Sequence, residues 1–343
     1  DLDYVAFYEN PDKSFPRIIS TLKIVPNNIF STLNNLKLWG KERLNLERYF
    51  RHFYPNFKGN FFFANHHLSH AASAFFPTNF KEAAILTIDG VGEDCTASIS
   101  KGENNKIEIL KEMKFPHSLG LLYTTITTFL GFKANSGEYK VMGLAPYGNP
   151  SFYSNCFEGK LVKSFPDGSL SLNMEYFNFT SHGYMFTKKM SELFHVKPRL
   201  DERELLNISH MNIASSLQQF CEDTIKKMAV YAKKICDSDN LCMAGGVALN
   251  CVSNGKIQKE NIFKNIWIQP ASGDSGNSLG AAYLLYHTNL KNPRIKIDQR
   301  NDLMQNSRLG PSFNDSEIRA FLDSINAKYT YIKSDINLAK ILV

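Results

Sequence analysis

Ala83-Ala84-Ile85-Leu86-Thr87-Ile88-Asp89-Gly90-Val91-Gly92-Glu93 is the stretch on which the fold turns. Its first six residues form an apolar run of strand length, and Thr96 to Ser100 beyond the loop has the same character. The segment therefore predicts two strands joined at Asp89-Gly90. Two readings of the joint stay open. Asp-Gly between β-rich runs signals a hairpin turn that needs no ligand. Alternatively, Gly90 and Gly92 leave backbone N–H groups free to approach a phosphate, with Asp89 beside a cation.

Two further segments break from a strand into glycines. Leu241-Cys242-Met243-Ala244-Gly245-Gly246-Val247-Ala248-Leu249-Asn250 predicts a buried strand, a glycine loop and then a helix. Ile266-Trp267-Ile268 leads through Gln269-Pro270-Ala271-Ser272-Gly273-Asp274-Ser275-Gly276 into a helix running toward Leu285. Both have the strand, loop, helix layout of nucleotide sites, and their proximity points to one nucleotide. Neither carries the lysine of a P-loop or three spaced glycines. Asn250 reads either as a hydrogen-bond partner for a ribose hydroxyl, the preferred reading, or as a helix cap.

Longer patterns fill in the rest. Leu119 to Leu130 predicts a helix, and Glu204 to Ile235 predicts a long amphipathic one, with Leu205, Ile208, Ile213, Leu217, Phe220, Thr224 and Met228 near one stripe. Strands alternating with long helices argue for α/β lobes rather than a helical bundle. The region 151–200, rich in Phe, Tyr, Asn and Ser, has no clean period and reads as an irregular insertion, where acceptor specificity is expected to reside.

Ahead of the first strand, Asn65-His66-His67-Leu68-Ser69-His70-Ala71 places three histidines within five residues. On a helix, His66 and His70 fall at i and i+4 and project from one face, where they can share a divalent metal or simply line a half-buried surface. Carboxylates complete such sites, and Asp89 and Asp274 are the two that stand out.

Composition sets outer bounds. A chain of 343 residues that is 43% hydrophobic can build two packed lobes. Its six cysteines form no C-x-x-C pair, which argues against zinc ribbons and a dense disulfide framework and for a reducing, cytoplasmic setting. No apolar run approaches the roughly 20 residues of a membrane span, and no signal-peptide pattern is visible. The net charge of +6 suits nucleotides, phosphates or acidic acceptors, but the basic residues are dispersed and nothing requires nucleic acid.

Taken in order, these segments together with Ser136-Gly137-Glu138-Tyr139-Lys140-Val141-Met142-Gly143-Leu144-Ala145-Pro146-Tyr147-Gly148 resemble the NodU/CmcH family of O-carbamoyltransferases over roughly residues 60 to 285. The resemblance implies an α/β, two-lobed actin/sugar-kinase/Hsp70-like (ASKHA) core. It also implies a mononuclear metal, usually Fe2+, beside ATP or carbamoyl-adenylate. By motif position, His66, His70, Asp89 and Asp274 would be the metal ligands. Gly90, Gly92, Glu93, Gly137, Gly245, Gly246, Asn250, Gly273 and Gly276 would line the nucleotide. Lys140 would touch a phosphate or the carbamoyl oxygen, against the alternative of a solvated pair with Glu138. His67, next to the ligands without being one by spacing, would accept the proton of the acceptor hydroxyl.

In such proteins a YrdC-like domain makes carbamoyl-adenylate from carbamoyl phosphate and ATP, and the core passes the carbamoyl group to a hydroxylated small-molecule or sugar-containing acceptor. The expected organisation is 1–82 as the remainder of a first lobe ending in the histidine helix, 83–299 as a second lobe, and 300–343 as a linker into a truncated YrdC-like domain. The family's N-terminal Gly-rich segment with its His-Asp pair has no counterpart before Asp1-Leu2-Asp3-Tyr4, and the chain stops before a YrdC-like Gly-Pro-Arg motif. A homodimer is a further expectation. The competing readings are a tRNA threonylcarbamoyl-adenosine synthase type of enzyme and a nucleotide-binding module without chemistry of its own.

Overall fold

The computed structural model describes residues 2–15, 40, 45–179, 184–295 and 302–342. The chain divides into two units, Asp1–Leu303 and Met304–Val343. The boundary expected at 299–300 lies outside the described residues.

The first unit begins with a short parallel pair, β1 (Tyr4–Phe7) against β2 (Asn60–Phe63), with helix α1 (Leu46–Phe53) between them in sequence. Helix α2 (His66–Phe75) follows directly and carries the histidines. Its start is fixed locally: the Asn65 side chain accepts from Leu68 N at 3.0 Å, satisfying one of the donors a helix leaves bare at its N-terminus.

The hairpin prediction holds. β3 (Glu82–Ile88) pairs antiparallel with β4 (Cys95–Glu103), which pairs antiparallel with β5 (Lys106–Lys114). After α3 (Leu119–Phe129), α4 (Glu138–Leu144), the hairpin β6 (Val162–Ser164) with β7 (Leu170–Leu172), α5 (Lys188–Phe194) and the 29-residue α6 (Ile208–Cys236), the chain returns to the sheet. There β8 (Asn240–Ala244) lies parallel to β3, and β9 (Asn265–Ile268), reached through α7 (Cys251–Lys259), lies parallel to β8. The mixed five-stranded sheet thus runs β5-β4-β3-β8-β9. Helix α8 (Asn277–Tyr283) follows β9. The chain is α/β, as its alternating patterns predict.

Period-two alternation in β3 explains the layering. Ala84, Leu86 and Ile88 face a core shared with Leu241 and Met243 of β8 and with α3 and α6. Ala83 and Ile85 face the other way, with Cys242 and Ala244, against Ala71, Ala72 and Phe75 of α2 and Ala281 of α8. A strand covered by helices on both faces reads as one apolar run, which is why β3 was visible in the sequence.

The region 151–200 is built of short pieces. Several of its aromatic residues belong to the larger core, although Phe152 and Tyr184 are exposed: Tyr153, Phe157, Phe177, Phe186 and Phe194 are all buried, and Phe194 meets Phe129, Tyr153 and Phe157 ring to ring. Burying each such ring stabilises by about 1.5–3 kcal/mol. Side chains fixed this way are occupied with holding α3 and α6, so acceptor recognition gains no support from them.

The second unit contains α9 (Asp315–Ser324) and α10 (Asp335–Leu342). A reciprocal cap starts α9, with Asn314 accepting from Glu317 N and Glu317 from Asn314 N. Among the described residues no helix is long and apolar enough to cross a membrane, and all six cysteines are unpaired.

Candidate functional site

Parallel strands β3, β8 and β9 all end at the same edge of the sheet, so the loops that begin at Asp89, Gly245 and Gln269 emerge side by side. Helix α2 brings His66 and His70 to that edge. The donor atoms of His66, His70, Asp89 and Asp274 all lie within 4.8 Å of one another. His66 Nε2 stands 3.2 Å from Asp89 Oδ2 and 3.5 Å from Asp274 Oδ1; His70 Nε2 stands 3.6 Å from each of the same oxygens.

Close backbone approaches fix this arrangement. Gly246 N–H donates to Asp89 Oδ1 at 2.9 Å, leaving Oδ2 aimed at the two imidazoles. A Cβ at Gly245, whose φ is +92°, would lie 2.2 Å from Ile88 O. A Cβ at Gly92 would come within 2.8 Å of the His66 ring. Gly92 is needed for the close approach, and Gly245 for both the close approach and its positive φ. Glu93 is buried and accepts from His66 N at 3.0 and 3.1 Å and from Asn10 N at 3.0 Å, so its charge sits at the N-terminus of α2.

The cluster is enclosed behind and open in front: the side-chain exposures are 4% for His66, 0% for His70, 14% for Asp89 and 57% for Asp274. Burial alone would raise the Asp89 carboxyl, but the hydrogen bond with His66 and the close His70 imidazole hold it well below the usual carboxylate range. Burial would lower His70, and contacts with Asp274 and Asp89 raise it instead. Neutral imidazoles and carboxylates together are the donor set of a borderline divalent ion. Held at about 2.0–2.2 Å, such an ion separates neighbouring donors by about 3.0–3.6 Å. The four imidazole–carboxylate spacings fit that arrangement, and 3.5–3.6 Å is long for direct hydrogen bonds.

With this geometry in view, comparison with known proteins places the chain. The model of the carbamoyltransferase N-terminus family matches residues 1–283. The chain belongs to the carbamoyltransferase N-terminus family. The protein named sll1178 of Synechocystis sp. is 40% identical over 99% of this chain and 56% of its own length. The nodulation protein NolNO of Sinorhizobium fredii is 33% identical over 65% of this chain and 31% of its own. For the nodulation protein NolO of Bradyrhizobium diazoefficiens the figures are 31%, 64% and 38%. The chain therefore spans about half or less of these relatives' length.

Within this family member the other expected site residues are distributed unevenly. Gly90, Gly92, Gly245, Gly246, Gly273 and Gly276 lie on the three converging loops, with Gly246 exposed beside Asp89. His67 turns away from them. Its Nε2–H donates to Cys95 O at 3.0 Å, so Nδ1 is the acceptor, receiving the Thr87 hydroxyl at 2.7 Å; Ser98 in turn meets Thr87 at 2.7 Å. Burial first, then the neighbouring His70 and His66, lowers its pKa to about 3. A wholly buried imidazole with both nitrogens engaged is a poor proton acceptor, which revises the base role expected for it.

Asn250 is the helix cap of the alternative reading. Its Oδ1 accepts from Ser253 N at 3.0 Å and from Gln218 Nε2 at 3.0 Å, and its Nδ2 donates to Gln218 Oε1 at 2.9 Å, so its oxygen is fully used and the buried side chain is turned to the core rather than to a ribose. Glu93 is likewise committed to α2. Lys140 pairs with Glu202 at 2.8 Å rather than with Glu138, while Glu138 accepts from Thr124 Oγ1, Asn135 N and Gly137 N. Gly137 is closed in by Lys133 O, 2.7 Å from where a Cβ would be. Asn277 was missed: it is fully buried, and its Nδ2 lies 3.2 Å from His70 Nε2. The available signal was its position three residues after Asp274 at a helix start, which puts both on one face.

Proposed function

We propose that this chain is the transfer core of an O-carbamoyltransferase, moving the carbamoyl group of carbamoyl-adenylate to a hydroxyl of an acceptor and releasing AMP. The observation that carries the reading is the four-donor cluster of His66, His70, Asp89 and Asp274 at the mouth of three strand-end loops. Family membership supports carbamoyl transfer, and the sheet order supports the five strands as the centre of one lobe of an ASKHA-type core. An iron or similar divalent ion bound there would supply positive charge against a phosphate or carbonyl oxygen of the donor.

The chain's own part is positioning. Gly246 N–H and the two imidazoles hold Asp89 ionised and oriented. The turn at Gly90 would offer backbone N–H to the anionic nucleotide, beside the exposed Asp274 through which substrates reach the cluster, while the Gly246 amide is given to Asp89. Burial of α2 behind the site keeps water from the imidazoles' far side. The YrdC-like domain of the whole protein, ATP and carbamoyl phosphate would supply the activated donor.

Metal content of the purified chain, prepared without oxygen, beside His70→Ala tests the reading. About one ion per chain, lost in the variant, is the expected result. No ion in either protein after reconstitution with iron would refute it.

A further inference from the structure

His70 Nε2 faces contradictory demands. Asp89 Oδ2 and Asp274 Oδ1, each 3.6 Å away, are acceptors and ask this nitrogen for a proton. Asn277 Nδ2, 3.2 Å away, is a donor and asks it for a lone pair. One imidazole nitrogen offers only one of the two. A cation at the centre of the cluster removes the conflict with the carboxylates, because the lone pair then points at the ion. It sharpens the conflict with Asn277, whose NH2 would present its positive end to a cation.

The other half of the same amide is unused. Asn277 Oδ1 is buried without a hydrogen-bond partner, and the residue is 0% exposed. Buried amide oxygens are normally satisfied, so an orphan beside a donor cluster points to a ligand. Amide oxygen and nitrogen are alike in size, and turning the group by half a rotation puts Oδ1 where Nδ2 stands. There it would be 3.2 Å from His70 Nε2, within the donor spacing already seen among the four cluster residues. The residue is also built in: Asn277 opens α8 three positions after Asp274, and α8 lies tight on α2 through Gly280, which leaves the amide no room to leave.

Resting on the metal reading above, we infer that Asn277 is a fifth donor to the cation, giving a neutral amide oxygen on the buried side of the site. Two carboxylates already balance a divalent charge, so a neutral oxygen adds coordination without excess negative charge. It closes the inner face, and ligands from solution are confined to the Asp274 side.

Co2+ is the probe, added to the full chain as purified metal-free protein, with affinity and visible absorption as readouts. The variants are Asn277→Ala, which removes the oxygen, and Asn277→Asp, which keeps one. The expected result is a roughly ten- to hundredfold weaker Co2+ affinity in Asn277→Ala. Its absorption should also be more intense, as befits fewer donors, with both properties moving back toward wild type in Asn277→Asp. Circular dichroism of the metal-free proteins checks that all three fold. Wild-type affinity and spectrum in Asn277→Ala would overturn the inference while leaving the four-residue site standing. So would a loss that Asn277→Asp, folded, does not reverse, since the NH2 group would then be what matters. Absence of Co2+ binding in the wild type would instead refute the metal reading itself.

Discussion

Among the described glycines, Gly280 leaves the least room for a Cβ, and one added methyl group there tests whether the helix contact beneath the candidate site sets its geometry. A Cβ at Gly280 of α8 would lie 1.8 Å from Ser69 O and 2.6 Å from Ser69 C on α2. Carbon and carbonyl oxygen settle at about 3.3–3.6 Å, so Gly280→Ala asks α2 and α8 to separate by about 1.5 Å. Backbone is not the far end of a flexible side chain and gives little, so the variant is expected to lose about 3 kcal/mol, the upper part of the overpacking range. The displacement does not stay local. α2 carries His66 and His70, and α8 starts three residues after Asp274. Metal sites tolerate deviations of only about 0.2 Å, so divalent-ion affinity is expected to drop by tenfold or more. Urea denaturation gives the stability and a Co2+ titration the affinity. Gly273→Ala is the control, since its Cβ meets nothing within 4 Å, and it is expected to unfold within about 0.5 kcal/mol of wild type. If Gly280→Ala matched that control in stability and kept wild-type affinity, the claim that helix contact sets the donor spacing would be refuted.

Three further expectations concern two residues whose roles the structure reassigns and one glycine inside a helix. His67 is neutral when folded, with a pKa of about 3 against 6.5 for the free side chain. Its contribution is therefore complete above pH 6.5 and is lost as pH falls from there toward the folded value, amounting to about 2 kcal/mol by pH 5. His67→Gln should flatten the stability-against-pH slope between pH 6.5 and 5 in denaturation series, and an unchanged slope counts against the assignment. Asn250→Ala removes the cap of α7 and two hydrogen bonds of Gln218, which keeps Tyr123 and Glu222 as partners, so urea unfolding should report a loss of about 1–2 kcal/mol, with Asn250→Asp retaining most of the cap. Gly255 lies inside α7 with open space where a Cβ would go; Gly255→Ala should raise stability by about 0.5–1 kcal/mol, and a loss would mean the helix needs glycine for a reason other than space.

What the sequence revealed and what it concealed divide along physical lines. β3, β8 and β9 were legible because a strand covered on both faces must be apolar throughout, and α6 because a long helix on a sheet shows its stripe. The His66, His70 pair was legible from helical spacing alone. Region 151–200 was not, because its phenylalanines and tyrosines reach the core from short, irregular pieces that impose no period. His67 and Asn250 were misjudged for a related reason. Each is next to functional residues in the chain, but a neighbour on a helix points about 100° away, so His67 faces β3 and not the cluster. Asn277 was hidden because only burial, with an oxygen left unpaired, distinguishes it from an ordinary residue at a helix start.

The cluster's location follows from the strand order more than from any one motif. In β5-β4-β3-β8-β9 only β4 runs against the rest, β3, β8 and β9 are paired parallel, and Thr87 pairs with Ala244 as Met243 pairs with Ile268. Asp89, Gly245 and the Gly273 loop therefore leave the sheet at one level, although more than 180 residues separate the first from the last. β5, antiparallel to β4, runs in the same sense as β3 and ends at the same edge, where Ser118 Oγ donates to Asp89 O and Gly90 O and braces the first loop. The N-terminus of α2 reaches the same edge because Glu93, four residues past Asp89, binds the His66 amide there. One carboxylate thus ties the histidine helix to the same turn that presents the other. A charge-removing change at Glu93 would accordingly act on the site through the helix that carries its imidazoles, without Glu93 touching anything bound there.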